Sequence, residues 1–218
     1  MNMTVPLFPL PNVVLFPKTL RPLHIFEPRY RAMIAEAISA DGLIGMLFLK
    51  DGWENQYDQN PPVEPVGCLG RIIQHNQLPD GRYYITLLGI SSFDLISEIP
   101  SEPFRTGLIE TREEPSEDIL SPALFERLTN VVDEMVETLD LDRELSWIKE
   151  SNLDQESLIH HWSAFLPFTP TEKQFLLESP SIRIEAGRLY DLLLFRKFDF
   201  TEDTSSIEPG SGTCDPLL

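Results

Sequence analysis

The chain has 218 residues, 42% hydrophobic and 24% charged, ordinary proportions for a globular protein that can bury a real core in one domain or two small ones. No stretch approaches the roughly 20 apolar residues of a membrane span, and the opening MNMTVPLFPLPNVVLFP has no early Lys or Arg and a proline-broken apolar run, unlike a secretion signal, so the expected location is cytoplasmic. The formal charge of −18 is uneven, with 8 basic against 12 acidic side chains up to residue 110 and 9 against 23 beyond it, which makes nucleic acid and anionic membrane poor partners.

Up to about residue 112 the chain reads as short strands broken by turns. Apolar runs fall at 13–16, 20–25, 43–49 and 68–73, then at 83–90, 93–96 and 104–109, each bounded by Gly, Pro, Asp or Asn. One helix interrupts them: Pro28 suits a first turn, Tyr30, Met33, Ile34, Ala37 and Ile38 share a helical face, and Gly42 is placed to end it. Between two of the runs, Pro79-Asp80-Gly81-Arg82 predicts a tight hairpin with positive φ at Asp-Gly and antiparallel flanking strands. Strands this short and numerous predict a small curled antiparallel sheet or barrel.

After a linker-like acidic segment, 113–118, the period becomes helical. Ser121 and Pro122 predict a helix start, followed by a stripe of Leu124, Phe125, Leu128, Val131, Val132, Met135, Val136 and Leu139. A second helix carries Leu158, Ile159, Trp162, Phe165 and Leu166 and stops at Pro167. Thr169-Pro170-Thr171-Glu172 is a capping box that starts a third, and a last helix spans about 179–196 with Ile182, Ala186, Leu189, Tyr190 and Leu193 on one face. Helices this short must pack together. The expected fold class is therefore α+β: a β-rich unit over 1–112, a helical bundle over 113–198, and a flexible acidic tail over 199–218.

Motifs for chemistry are missing. A P-loop needs glycines where Asn12 and Pro17 precede Lys18-Thr19, and there is no G-x-G-x-x-G, G-x-S-x-G or H-E-x-x-H. His160 and His161, adjacent on a helix, point about 100° apart and cannot easily share one ion, so Glu156 and His160 read as an exposed helical pair. Cys68 and Cys214 read as one packed and one exposed thiol. No catalytic residue, metal ligand or cofactor site is expected.

The opening Pro6-Leu7-Phe8-Pro9-Leu10, Val13-Val14-Leu15-Phe16-Pro17 and Pro22-Leu23-His24-Ile25-Phe26-Glu27-Pro28-Arg29-Tyr30 resembles the signature of the Lon protease amino-terminal substrate-binding domain family. Further matches are Gly67-Cys68-Leu69-Gly70-Arg71-Ile72, Leu78-Pro79-Asp80-Gly81-Arg82 and Gly89, then a weaker closing pattern in Lys173-Gln174-Phe175-Leu176-Leu177-Glu178 and Arg188-Leu189, about residues 3–196 in all. Ser92-Phe93 stands where the family often has Arg-Phe. The resemblance implies a PUA-like pseudo-barrel followed by a helical bundle, and a non-catalytic module without ATPase motor or peptidase. Its implied ligands are unfolded or apolar polypeptide segments, and its implied associates a protease or chaperone. A hydrolase of unrecognised type and an oligomeric structural protein are the competing readings. Within the signature, Glu27 and Arg29 read as structural, and Phe8, Phe16 and Phe26 as barrel core.

The polar loop 51–60 holds Trp53 and Tyr57, the candidate peptide-contacting residues. They either form a lip that grips apolar segments or, for Trp53, pack on the sheet edge; the cleft between barrel and bundle is the other candidate site.

Overall fold

The structure is a computed structural model that describes residues 1–55, 60–112, 120–141, 145, 147, 148 and 151–205, with side chains described as far as Lys197. Six strands, β1 (Asn2–Leu10), β2 (Leu20–Ile25), β3 (Leu43–Phe48), β4 (Val66–Gln77), β5 (Tyr83–Ile99) and β6 (Thr106–Thr111), make one sheet in the order β2-β5-β4-β3-β1-β6. β5 also pairs with β6, so β5, β4, β3, β1 and β6 close into a ring. β2 pairs with the first half of β5, opposite Tyr83 to Leu88, and β6 takes over that edge from Phe93 onward. The register slips by one residue near Ile90, a bulge that lets one strand serve both partners.

The ring departs from the antiparallel expectation at one pair: β1 runs parallel to β3, because β2 and α1 (Pro28–Ser39) carry the chain across before it returns. β1 is itself a strand that its prolines concealed. It pairs with β6 up to Pro6 and with β3 from Leu7, so Pro6 sits where the partner changes. The run 13–16 forms no strand; Val14, Leu15 and Phe16 are buried in irregular chain. The two runs at 83–90 and 93–96 are one strand. The hairpin turns at Gly81 alone (φ +82°), where Gly81 N–H donates to Leu78 O at 2.9 Å, so only the glycine needs the left-handed region.

α1 buries Tyr30, Met33, Ile34 and Ala37, and Gly42 N–H closes it on Ala37 O at 2.9 Å. Beyond the ring come α2 (Pro122–Thr138), α3 (Gln155–Phe165), α4 (Pro170–Leu177) and α5 (Ile182–Ser205). Their starts follow the sequence signals. Ser121 Oγ accepts from Leu124 N–H, and Thr169 and Glu172 form the reciprocal capping box. α5 runs to Ser205, into the segment read as a tail; the remainder of that segment, the 113–118 linker and Cys214 lie outside the described residues.

Two apolar clusters explain the arrangement. A small one, with Val5, Leu7, Leu47, Leu69, Phe93 and Ile109, fills the ring. A larger one lies on the ring's outer surface and runs through α1 into the helices, joining Phe8, Met46 and Cys68 to Leu128, Trp162, Leu176 and Leu189. Neighbours along one strand thus enter different clusters, as Leu7 and Phe8 do. β3, covered on both faces, is buried at every position, and this is why LIGMLF lacks alternation.

Candidate functional site

β2 is the outermost strand of the sheet and, among the described residues, pairs only with β5. Its burial alternates, with Leu20, Pro22 and His24 exposed and Ile25 buried. Across the ladder His24 lies opposite Tyr84, which lies opposite Asn76; Pro22, Thr86 and Gln74 form the next row. These rows floor a shallow groove of about 820 Å³ with Ile73 and His75 on its wall and no acidic residue in its lining. A second hollow of about 270 Å³ follows the other side of β2, between Leu23, His24 and Phe26 and the side chains of Phe8, Leu10 and Tyr30.

Aromatic rings stand where the two hollows meet. His24 stacks on Tyr84 with centroids 4.7 Å apart and faces Phe26 at 5.9 Å. Tyr84 is 52% exposed, Phe26 60% and Ile73 46%. Phe26 was expected in the core with Phe8 and Phe16. Those two are buried, but Phe26 lies between β2 and α1, where no layer of the described residues covers it. Large apolar rings clustered in water beside an open strand edge mark a contact surface. Next to them Arg29 Nε donates to Glu27 Oε2 at 3.1 Å and its guanidinium lies over the Tyr30 ring, which fits the structural reading of that pair.

The interior polar groups form a different kind of arrangement. His160, expected with Glu156 as an exposed pair, is buried, as is its neighbour His161, because α3 is enclosed on nearly all sides. Glu185 on α5 faces His160 Nδ1 at 3.1 Å and accepts from Ser163 Oγ at 2.7 Å. A serine, a histidine and a carboxylate therefore meet, but the hydroxyl spends its proton on Glu185 rather than on an imidazole, which is not the geometry of an activated nucleophile. All three are shielded from solvent. His161 Nδ1 lies 2.6 Å from Ser157 O, and burial lowers its pKa. Burial pushes the Cys68 thiol far up, so it stays protonated. Among the described residues no group of three or more His, Cys, Asp or Glu is placed to hold a metal ion, and no helix is long and apolar enough to cross a membrane.

Trp53 opens a single 3-10 turn, Trp53–Asn55, and is half-buried; Tyr57 lies outside the described residues. The surface around His24, Phe26 and Tyr84 was not singled out from sequence. Its one available signal was the aromatic at the open end of a strand whose alternation should have left it outside.

The ring and its helices match the fold of solved Lon N-terminal domains. The Lon N-terminal domain protein from Xanthomonas campestris superposes with a TM-score of 0.64 at 23% identity, covering 88% of this chain and 98% of that one. The N-terminal domain of Mycobacterium avium complex Lon protease gives 0.64 at 17%, with the same coverage. In sequence, Lon protease of Desulfosudis oleivorans is 27% identical over 189 residues, and Lon protease 1 of Thermus thermophilus 29% over 203. Those stretches cover 85% and 89% of this chain but only 23% and 25% of the relatives, so the chain spans about a quarter of their length. The family described as the ATP-dependent protease La (LON) substrate-binding domain matches residues 4–194, and the chain belongs to that family.

Proposed function

We propose that the chain is a non-catalytic module that binds exposed apolar segments of polypeptides, and that the surface around β2 makes the contact. The observation that carries this reading is the exposed His24–Phe26–Tyr84 cluster beside a strand edge that is unpaired among the described residues, above a groove with no acid in its lining. An extended segment can lay apolar side chains on such rings while its backbone follows the strand, which is tolerant of sequence. Family membership supports the substrate class. The same membership supports a cytoplasmic role beside a protease or chaperone.

The test is Phe26→Ser combined with Tyr84→Ser, read by titration with fluorescently labelled, carboxymethylated α-lactalbumin. Affinity should fall about tenfold or more, as expected when two aromatic anchors are lost. The melting temperature should barely move, because both rings are already in water. Unchanged affinity would sink the proposal. The polar loop supplies a second reading, in which Trp53, half-buried there, and Tyr57 are the residues that contact an apolar segment. Alanine at both positions would then weaken binding while the β2 variant did not.

A further inference from the structure

β4 changes character at Ile73. The β4–β5 ladder slips there as well: Ile72 lies opposite Leu87 and Gln74 opposite Thr86, so Ile73 is an extra residue on its strand. A bulge of this kind re-aims a side chain, and Ile73 is left exposed on the wall of the groove. Beyond it, Gln74 and Asn76 stand directly across from Thr86 and Tyr84 and share their face of the sheet. Both amides are exposed and line the groove, and among the described residues neither has a hydrogen-bond partner.

The chemistry of the lining narrows the ligand. It holds no Asp, Glu, Lys or Arg, in a chain with 35 acidic and 17 basic side chains. Rings, amides and a hydroxyl without a full charge suit a neutral ligand that has donors and acceptors of its own. The peptide group is such a ligand, and a primary amide can bond both an N–H and a C=O. Spacing points the same way. Side chains two apart on one strand face are separated by roughly 6.5–7 Å, twice the rise per residue. An extended polypeptide turns the N–H and C=O of every second residue to one side with the same repeat. A helix keeps those groups for its own bonds. The edge of β2, by contrast, is a poor partner for main chain. Gly89 N–H donates to Thr19 O at 2.9 Å, and antiparallel alternation then places the bonds to β5 at Arg21, Leu23 and Ile25. Leu20, Pro22 and His24 therefore turn their backbone groups outward, and Pro22 has no N–H to give.

We propose that Gln74 and Asn76 read the main chain of the polypeptide in this groove, each amide bonding the N–H and C=O of one residue of an extended, uncharged segment. The inference rests on the function proposed above and adds what the aromatic cluster leaves open, the conformation of the ligand and the groups by which it is recognised. Main-chain groups are common to every sequence, so these contacts hold a segment whatever its side chains, while Phe26 and Tyr84 select apolar ones. The amides on the face supply the polar contacts that Pro22 withholds at the edge.

Two measurements on the full chain test this, both with the capped, uncharged peptide acetyl-Ser-Leu-Ser-Phe-Ser-Leu-Ser-amide. The first uses the wild-type protein and two analogues. One has the N–H of every Ser replaced by an ester oxygen, the other that of every Leu and Phe. One analogue should bind about tenfold more weakly than the parent, the worth of two ordinary hydrogen bonds, and the other within about twofold of it. Analogues that weaken equally, or not at all, overturn the proposal, as does a parent peptide that fails to bind at millimolar concentration. The second measurement combines Gln74→Leu with Asn76→Leu, which adds apolar area and removes the amides. Apolar contact alone predicts tighter binding of the parent peptide, whereas the amide reading predicts binding weaker by about fivefold or more. It also predicts a smaller loss for the analogue that already lacks the bonded N–H groups. Tighter or equal binding by the variant, or an equal loss for both peptides, overturns the proposal. Carboxymethylated α-lactalbumin separates the two failures. If Phe26→Ser with Tyr84→Ser leaves its affinity unchanged, the groove itself falls. If that variant loses affinity while the ester analogues bind alike, the groove stands and the amide reading falls.

Discussion

One sheet presents two walls. The wall of β1, β3 and the start of β4 is covered inside by the ring's own cluster and outside by α1 and the helices, and there every β3 residue and the run Val66 to Gly70 are buried. The wall of β2 and the tip of the β4–β5 hairpin is covered on one face only, and β4 is exposed from Ile73 to Gln77. The covered wall uses apolar residues as filler, so each is explained by packing. On the open wall Phe26, Ile73 and Tyr84 lack that explanation and are the ones that need a partner. An apolar residue is informative about function only where the fold leaves it uncovered.

The comparison breaks first at Gly67. A Cβ there would lie 2.3 Å from Met46 O and 2.6 Å from Phe93 Cζ, distances that require the backbone to move. Gly67→Ala should cost about 3 kcal/mol, the upper range for overpacking, measured as a lower urea midpoint. A cost within about 0.5 kcal/mol, the range of an ordinary surface change, would show the covered wall to be loosely packed. Glu185→Ala comes next and tests the polar clip behind that wall. It leaves the Ser163 hydroxyl and His160 without the acceptor they share. We expect a loss of about 2–3 kcal/mol, with hydrogen exchange speeding up in α3 and α5 more than at the hairpin tip. Equal acceleration in both regions would mean that the two walls open as one unit.

Much of the covered architecture could be read from sequence, because its signals are local. Pro28 and Gly42 bound α1, Ser121 and Thr169 cap α2 and α4, and Gly81 turns the hairpin. What escaped depended on neighbours. β1 is broken by Pro6 and Pro9, yet Pro6 falls at the change of partner, where the strand tolerates it. The run 13–16 has strand composition, but Phe16 is buried near the His160 ring, 6.4 Å away, and its apolar character serves the helices rather than a ladder. His160 and His161 occupy neighbouring positions that one amphipathic face could not bury together; enclosure of α3 did. The site depended on neighbours too. Phe26 belongs to an apolar signature that reads as core throughout, and only the position of β2 at the sheet's edge leaves it outside.

The smallest expected effect concerns Lys173, half-buried on α4, and is a dependence on pH. Lys173 keeps an ammonium whose pKa burial, then the Arg21 charge, brings down from 10.5 to about 8. Between those two values the unfolded chain binds the proton more tightly than the folded one, so stability should rise with pH from about 8 to 10.5 and be flat in this contribution below 8. The size is modest because Lys173 is only half-buried and solvent screens part of the interaction. Cys68 acts in the opposite sense above about 9, where the unfolded thiol ionises and the buried one stays protonated, so the Lys173 contribution is read as the difference between the wild type and Lys173→Met, which share Cys68. Between pH 7.5 and 9.5 the urea midpoint of the wild type should therefore gain on that of Lys173→Met. An identical slope in wild type and variant would place the titrating group elsewhere.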